Sequence, residues 1–225
     1  MSQALARPIT YLITSGESSS ATTPSSEEFC RLLALVRAAV NACVTLVQLR
    51  EKELNGRVLF ELASAAAQLA RGSATRVLVN DRADVARAAG CDGVHLTTSS
   101  LDASTVRRVF GEEFLIGVSA HTLQEARTAR DGGADFAVFG PVYDTPSKRA
   151  YGPPAGLGTL MKVALELSPF PLVALGGVSV EQVKDVLQAG AAGVAGIRLF
   201  ANGQNLVQTV HLIRRTYDAR GVLDE

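Results

Sequence analysis

Eight short apolar runs rich in β-branched residues alternate along the chain with longer stretches of helical period, and no other feature constrains the fold as much. The runs are Ile9–Ile13, Val44–Leu49, Arg76–Val79, Gly93–Leu96, Leu115–Val118, Phe136–Phe139, Leu172–Leu175 and Gly193–Ile197. The periodicity between them predicts helices near Glu27–Val40, Arg57–Arg71, Ala83–Ala89, Ala103–Phe110, Leu123–Asp131, Leu157–Leu167, Val180–Gln188 and Leu206–Tyr217. The runs show little polar alternation, as strands covered on both faces of a parallel sheet do. Eight βα units in 225 residues predict one α/β domain over residues 1–225, a (β/α)8 TIM barrel. A doubly wound open sheet is the alternative. No GxGxxG follows the first run, which weighs against the dinucleotide-binding form of that fold. Gly90, Gly133 and Gly190 each sit between a helical stretch and the next strand, where glycine takes a left-handed helix cap at no Cβ cost.

Charge and composition narrow the partners. Lys+Arg and Asp+Glu balance at 22 each, so the net charge is zero. That excludes bulk electrostatic attraction to nucleic acid or to an anionic membrane, but not a small anion held by a local cluster. Tryptophan is absent and aromatics are scarce, which removes the usual base-stacking platform. Cys30, Cys43 and Cys91 lie far apart with no CxxC pair, so a disulfide framework and a sequence-local zinc site are excluded. Free thiols suit a reducing compartment, and the expected location is cytoplasmic. No apolar run approaches the roughly 18 residues of a membrane span. Homo-oligomerisation is left open.

In a barrel of this kind, chemistry sits at the C-terminal ends of the strands. The second run leads into Gln48-Leu49-Arg50-Glu51-Lys52, where alternation puts Gln48, Arg50 and Lys52 on one face. Such a set suits a multiply charged anion such as pyrophosphate. The bland alternative is an exposed loop in which Glu51 neutralises its neighbours. The third run ends in Asn80-Asp81, a metal-binding carboxylate with an amide beside it, or simply the cap of the next helix. His95 and His121 end the fourth and fifth runs, and either is a structural rim residue or a general acid–base. The sixth run opens into a loop carrying Thr145, Ser147 and Lys148 and stiffened by Pro141 and Pro146, suited to a carboxylate or phosphate. Gly176-Gly177 and Ile197-Arg198 follow the seventh and eighth runs, where backbone amides commonly cradle phosphate, although Gly-Gly is also ordinary turn chemistry. Ser15–Ser26 reads as a flexible solvated loop, with a lid over the site as the alternative.

Taken in order, Gln48-Leu-Arg50-Glu-Lys52, Val79-Asn80-Asp81-Arg82, Gly93-Val-His95-Leu, Gly117-Val-Ser119-Ala-His121-Thr, Gly140-Pro-Val-Tyr with Thr145 and Lys148, and Gly176-Gly177 resemble the thiamine phosphate synthase/thiazole tautomerase (TenI-like) family of TIM barrels. The resemblance spans about residues 8 to 215. It implies a transferase that couples hydroxymethylpyrimidine pyrophosphate to a thiazole phosphate with Mg2+. The alternatives are a tautomerase using His121 without metal, or a non-catalytic ligand-binding barrel. By matched position, Gln48, Arg50, Lys52 and Asn80 would contact the pyrimidine pyrophosphate, and Asp81 would be a Mg2+ ligand. Ser119 would lie near the leaving pyrophosphate. Thr145, Ser147 and Lys148 would contact thiazole and pyrophosphate, and Gly177 the thiazole phosphate. There are departures. The second Mg2+-ligand position of synthases is Ser100 here, with Asp102 two residues further on, and Arg198 replaces a serine. Pro141 stands where tautomerases tend to carry His.

Overall fold

A computed structural model describes residues 5–145 and 153–219. Eight parallel strands close into a barrel in sequence order, β1 to β8, with β8 paired back to β1. They are β1 Ile9–Ile13, β2 Leu46–Leu49, β3 Arg76–Asn80, β4 Gly93–Leu96, β5 Leu115–Ala120, β6 Phe136–Phe139, β7 Leu172–Ala174 and β8 Gly193–Gly196. The helices are α1 Glu27–Asn41, α2 Gly56–Ala70, α3 Ala83–Ala88, α4 Ala103–Phe110, α5 Leu123–Asp131, α6 Gly156–Leu167, α7 Val183–Gln188 and α8 Leu206–Asp218. The open-sheet alternative is thereby excluded.

Boundaries differ from expectation where the backbone has another use. Val44 is outside β2 because its amide donates to Ala39 O in the turn that ends α1. β5 runs two residues further than expected because Ser119 and Ala120 pair with Val138 and Phe139 of β6. The first turn of the seventh helical stretch, Val180–Gln182, is a 3-10 turn, entered through a capping box between Ser179 and Gln182.

Alternation along the strands makes two cores. Ile9, Tyr11, Leu46, Leu78, Phe136 and Val173 fill the barrel interior. Leu12, Val47, Val79, Val94, Ile116 and Ala137 face outward and pack under the helices. The interior needs small residues beside its rings. A Cβ on Gly117 would lie 2.4 Å from the Phe136 ring and 2.9 Å from His95 Nδ1. Gly117 thus makes room for the His95 ring inside the barrel.

The N-terminal end is closed by side-chain latches on the residues just before β2, β4 and β6. Thr45 Oγ1, Asp92 Oδ2 and Asp135 Oδ2 accept from the amides of Thr10, Val77 and Ile116 at 3.2, 2.8 and 2.7 Å. Asp135 also holds Arg107 at 2.8 Å, with the two side chains only 8% and 12% exposed.

Candidate active site at the C-terminal rim

Strand alternation delivers a polar chain to the barrel axis. Gln48 Nε2 donates to the Tyr11 hydroxyl at 2.8 Å. That hydroxyl lies 3.2 Å from His95 Nδ1, and His95 Nε2 lies 2.9 Å from Ser119 Oγ. Four strands, β2, β1, β4 and β5, contribute one residue each. The rings of Tyr11 and His95 are tilted at 56° with centroids 5.7 Å apart, and Phe136 closes on the Tyr11 edge at 5.6 Å. Desolvation in this apolar shell pushes the His95 pKa down to about 3 and raises that of Tyr11. His95 is therefore a buried, neutral, hydrogen-bonded residue at the barrel centre, not at the rim. Sequence reasoning did not select Tyr11. Its signal was a hydroxyl in an apolar strand, in register with the inward Ile9 and Ile13.

From Gln48, which is buried, the segment after β2 climbs through half-buried Arg50 to exposed Lys52. Glu51 does not neutralise them. Its carboxylate is 3% exposed and is taken up by the loop after β1. Thr14 Oγ1 and Ser18 Oγ donate to it at 2.5 Å each, and the amides of Gly16 and Ser18 at 3.2 Å each. Thr14 Oγ1 in turn accepts from the Arg50 amide at 2.8 Å. The start of the Ser/Thr-rich loop read as flexible is thus anchored to β2, because a buried carboxylate must have its lone pairs satisfied. Among the described residues, neither Arg50 nor Lys52 is in an ion pair.

Asn80 and Asp81 lie at the neighbouring strand end, Asn80 paired in register with His95. Asp81 does not cap α3. The cap position is Arg82, whose side chain pairs with Asp84 and caps no amide, and Asp81 itself has φ +62°. Asp102 is the N-cap of α4, accepting from the Thr105 amide and Ser104 Oγ at 2.7 Å each, and the hydrogen bonds hold its carboxyl below the usual range. Ser100 Oγ accepts from the Thr97 amide at 2.8 Å in a closed turn. Among the described residues, no three His, Cys, Asp or Glu side chains cluster as a metal site would require. Asp81 is the one acidic residue of the predicted set on this rim.

The opposite side of the mouth is built by β6, β7 and β8. The loop after β6 is laid against the Gly176-Gly177 turn by hydrogen bonds from the Val142 and Tyr143 amides to Leu175 O and Gly176 O, each 2.9 Å. A Cβ on Gly177 (φ +68°) would lie 2.7 Å from Tyr143 Cβ and 2.8 Å from Asp144 O, so only glycine lets the two loops meet. A cleft of about 660 Å³ results, lined by Thr145, Gly176, Gly177, Val178, Ile197 and Arg198 among others. The amides of Gly177, Val178, Ile197 and Arg198 donate to no other described residue. Thr145 Oγ1 is buried in this wall without a hydrogen-bond partner. Amides and a hydroxyl left open around one cleft are groups that can donate to an anion. Ser147 and Lys148 lie outside the described residues. His121 is exposed at the end of β5. Its amide donates to Glu125 at 2.6 Å, and its Nδ1 is in close contact with Gly140 O. A carbonyl only accepts, so Nδ1 carries the proton and Nε2 faces away from that bond.

Comparison with known proteins places the chain in a family. A family model described as thiamine monophosphate synthase matches residues 11–200. The thiamine-phosphate synthase of Anaeromyxobacter dehalogenans is 42% identical over 165 residues, covering 73% of each chain. That of Halalkalibacterium halodurans is 34% identical over 191 residues, 85% of this chain and 90% of the relative. The solved thiamine phosphate pyrophosphorylase of Pyrococcus furiosus superposes with a TM-score of 0.77 at 26% identity, over 95% of this chain and 98% of that one. This chain belongs to the thiamine monophosphate synthase family.

Proposed function

We propose that the protein joins hydroxymethylpyrimidine pyrophosphate to a thiazole phosphate and releases pyrophosphate, as a thiamine phosphate synthase. The observation that carries this reading is that two separate anion-holding sets share one mouth. The cradle of open amides and the Thr145 hydroxyl suits a phosphate monoester. Arg50 and Lys52 beside Asn80 suit a pyrophosphate. An enzyme that only isomerised a thiazole phosphate would need the first set and not the second.

In this reading the bond between the pyrimidine methylene carbon and pyrophosphate oxygen breaks, and its electron pair leaves with pyrophosphate. The thiazole nitrogen then gives its lone pair to the methylene carbon. Arg50, Lys52 and Lys148 balance the charge that grows on the leaving group, and the Ser119 hydroxyl reaches the same oxygens. Gln48 and Asn80 hold the pyrimidine. Gly176, Gly177, Ile197 and Arg198 hold the thiazole phosphate, Thr145 lines that side, and Ser147 is assigned to the same substrate by its place in the sequence motif. Asp81 fits Mg2+ as one carboxylate completed by pyrophosphate oxygens, because Asp102 and Ser100 are already committed to their own turns. Bound there, the ion would supply positive charge to the leaving group. Three free cysteines agree with a cytoplasmic enzyme.

The test is purified protein with thiazole phosphate carboxylate, with and without the pyrimidine pyrophosphate and Mg2+. Coupled product with pyrophosphate release is expected. Isomerised thiazole alone would transfer the reading to a tautomerase with His121 as proton carrier, and binding without turnover to a non-catalytic barrel. Calorimetry of Mg2+ should show binding only when pyrophosphate is present. Tight binding to the free protein would require a second protein carboxylate.

A further inference from the structure

We infer that Tyr11 and His95 fix the direction of the hydrogen-bond chain across the barrel, making Ser119 a donor into the site. The inference rests on the synthase reading only for what Ser119 donates to. The Tyr11 oxygen has two polar neighbours, Gln48 Nε2 at 2.8 Å and His95 Nδ1 at 3.2 Å. An amide nitrogen can only donate. If His95 Nδ1 also carried a proton, Tyr11 would accept from both sides. Its own O–H, on a residue with no exposed surface, would then have no acceptor. A buried donor without a partner is costly, so the Tyr11 O–H donates to a bare Nδ1. A doubly protonated ring is excluded by the depth of the site, which holds the His95 pKa down to about 3.

A neutral imidazole with a bare Nδ1 carries its proton on Nε2. Nε2 lies 2.9 Å from Ser119 Oγ and therefore donates to it. The Ser119 oxygen is occupied as an acceptor, and its own hydrogen is free to point elsewhere. Ser119 is half-buried at the end of β5. The two ends of the chain thus show opposite polarity, an O–H donor at Ser119 and a carbonyl acceptor, Oε1, at Gln48. A donor suits a leaving pyrophosphate, and an acceptor suits the amino group of a pyrimidine. Tyr11 and His95 touch neither substrate in this scheme and act as positioning residues.

The direct test is nitrogen NMR on protein labelled with 15N-histidine, the His95 signals being assigned by their loss in His95→Gln. At pH 7 the proton is expected on Nε2, with Nδ1 bare. A proton on Nδ1 reverses the chain and overturns the inference, whatever the activity. The kinetic test is Tyr11→Phe, which keeps the ring and removes the donor to Nδ1. Coupling kcat should fall roughly 10–100-fold, the scale for partners that orient a functional group. The losses in the double variant Tyr11→Phe/Ser119→Ala should be less than additive, because Tyr11 reaches Ser119 through His95, and what remains over Ser119→Ala alone is the part that Tyr11 exerts through Gln48. Additive losses would overturn the positioning role. His95→Gln, whose side-chain amide can still donate to Ser119, should recover most of the activity lost in His95→Leu. Equal kcat in the two would also overturn it. If His95→Leu does not fold, Tyr11→Phe with its measured tautomer decides the matter. Wild-type protein that does not couple overturns the synthase reading alone, while the tautomer still decides the direction of the chain.

Discussion

At the N-terminal end of the barrel, Asp92 and Asp135 each hold an amide of the adjacent strand and an arginine side chain, at 2.7–3.1 Å. At the C-terminal end, Arg50, Lys52 and Asp81 enter no ion pair among the described residues, and four amides and the Thr145 hydroxyl have no partner there. The same residue types are present at both ends. At one end they are spent on each other and tie strands together. At the other they are left open, which costs stability unless a ligand supplies the missing partners. One exception at the C-terminal end follows the first pattern. Glu51 is fully taken up by Thr14, Gly16 and Ser18, and it fixes the loop and the backbone from which Arg50 projects.

The contrast predicts that substitutions at the two ends separate stability from activity. The largest effect is expected for Asp135→Ala, which leaves the nearly buried Arg107 charge with backbone carbonyls of Gly111, Phe114 and Gly133 but no carboxylate, and frees the Ile116 amide. Denaturant unfolding should show a loss of about 3–5 kcal/mol, while the folded fraction keeps its kcat. Arg50→Ala should do the reverse. Coupling kcat/KM should fall by roughly 10²–10³-fold, as for a lost charge-stabilising group, with no loss in melting temperature. A destabilised but fully active Arg50→Ala would contradict the assignment of the rim.

A smaller effect of opposite sign in two assays is expected from Thr145→Val. Removing an unpartnered buried hydroxyl should leave the free protein as stable or more so. Thiazole phosphate binding should weaken by about 1.5–3 kcal/mol, the range for a hydrogen bond to a charged group. Parallel losses in both assays would mean the hydroxyl is structural. The smallest effect near neutrality belongs to His95. Its folded pKa is depressed to about 3, so the unfolded chain binds the extra proton first. Stability is complete above about pH 6.5 and is lost as pH falls toward the folded value. Between pH 6.5 and 5.5 the loss should be about 1 kcal/mol, and urea titrations of His95→Gln should lack this component. Gly177→Val, by contrast, cannot isolate the phosphate cradle. Its Cβ strikes the 143–144 backbone and Tyr143, so it would displace the whole loop.

Much of the rim was legible because strand period is local. Gln48 follows Leu46 by two residues, Ser119 follows Gly117 by two, and the inward parity carries each to the mouth. The ambiguous residues were those whose role depends on a partner far away in sequence. One of the two readings of the sequence had Glu51 balance Arg50 and Lys52 because they are its neighbours in the chain. The structure instead gives it Thr14 and Ser18, more than 30 positions away. Asp81 and Asp102 have the same local look of a carboxylate before a helix, yet only Asp102 caps one.

The sequence by itself determined the barrel and the order of its strands, because alternating burial and helical period are properties of short segments. Tertiary structure alone decided which polar groups are consumed and which remain open. Closing the barrel brings β1, β2, β4 and β5 together around Tyr11 and His95, and it folds the loop after β6 onto the Gly176-Gly177 turn. Hydrogen bonds reach only about 3 Å, so whether a buried donor has a partner is fixed by which strands meet in space, and no local pattern encodes that.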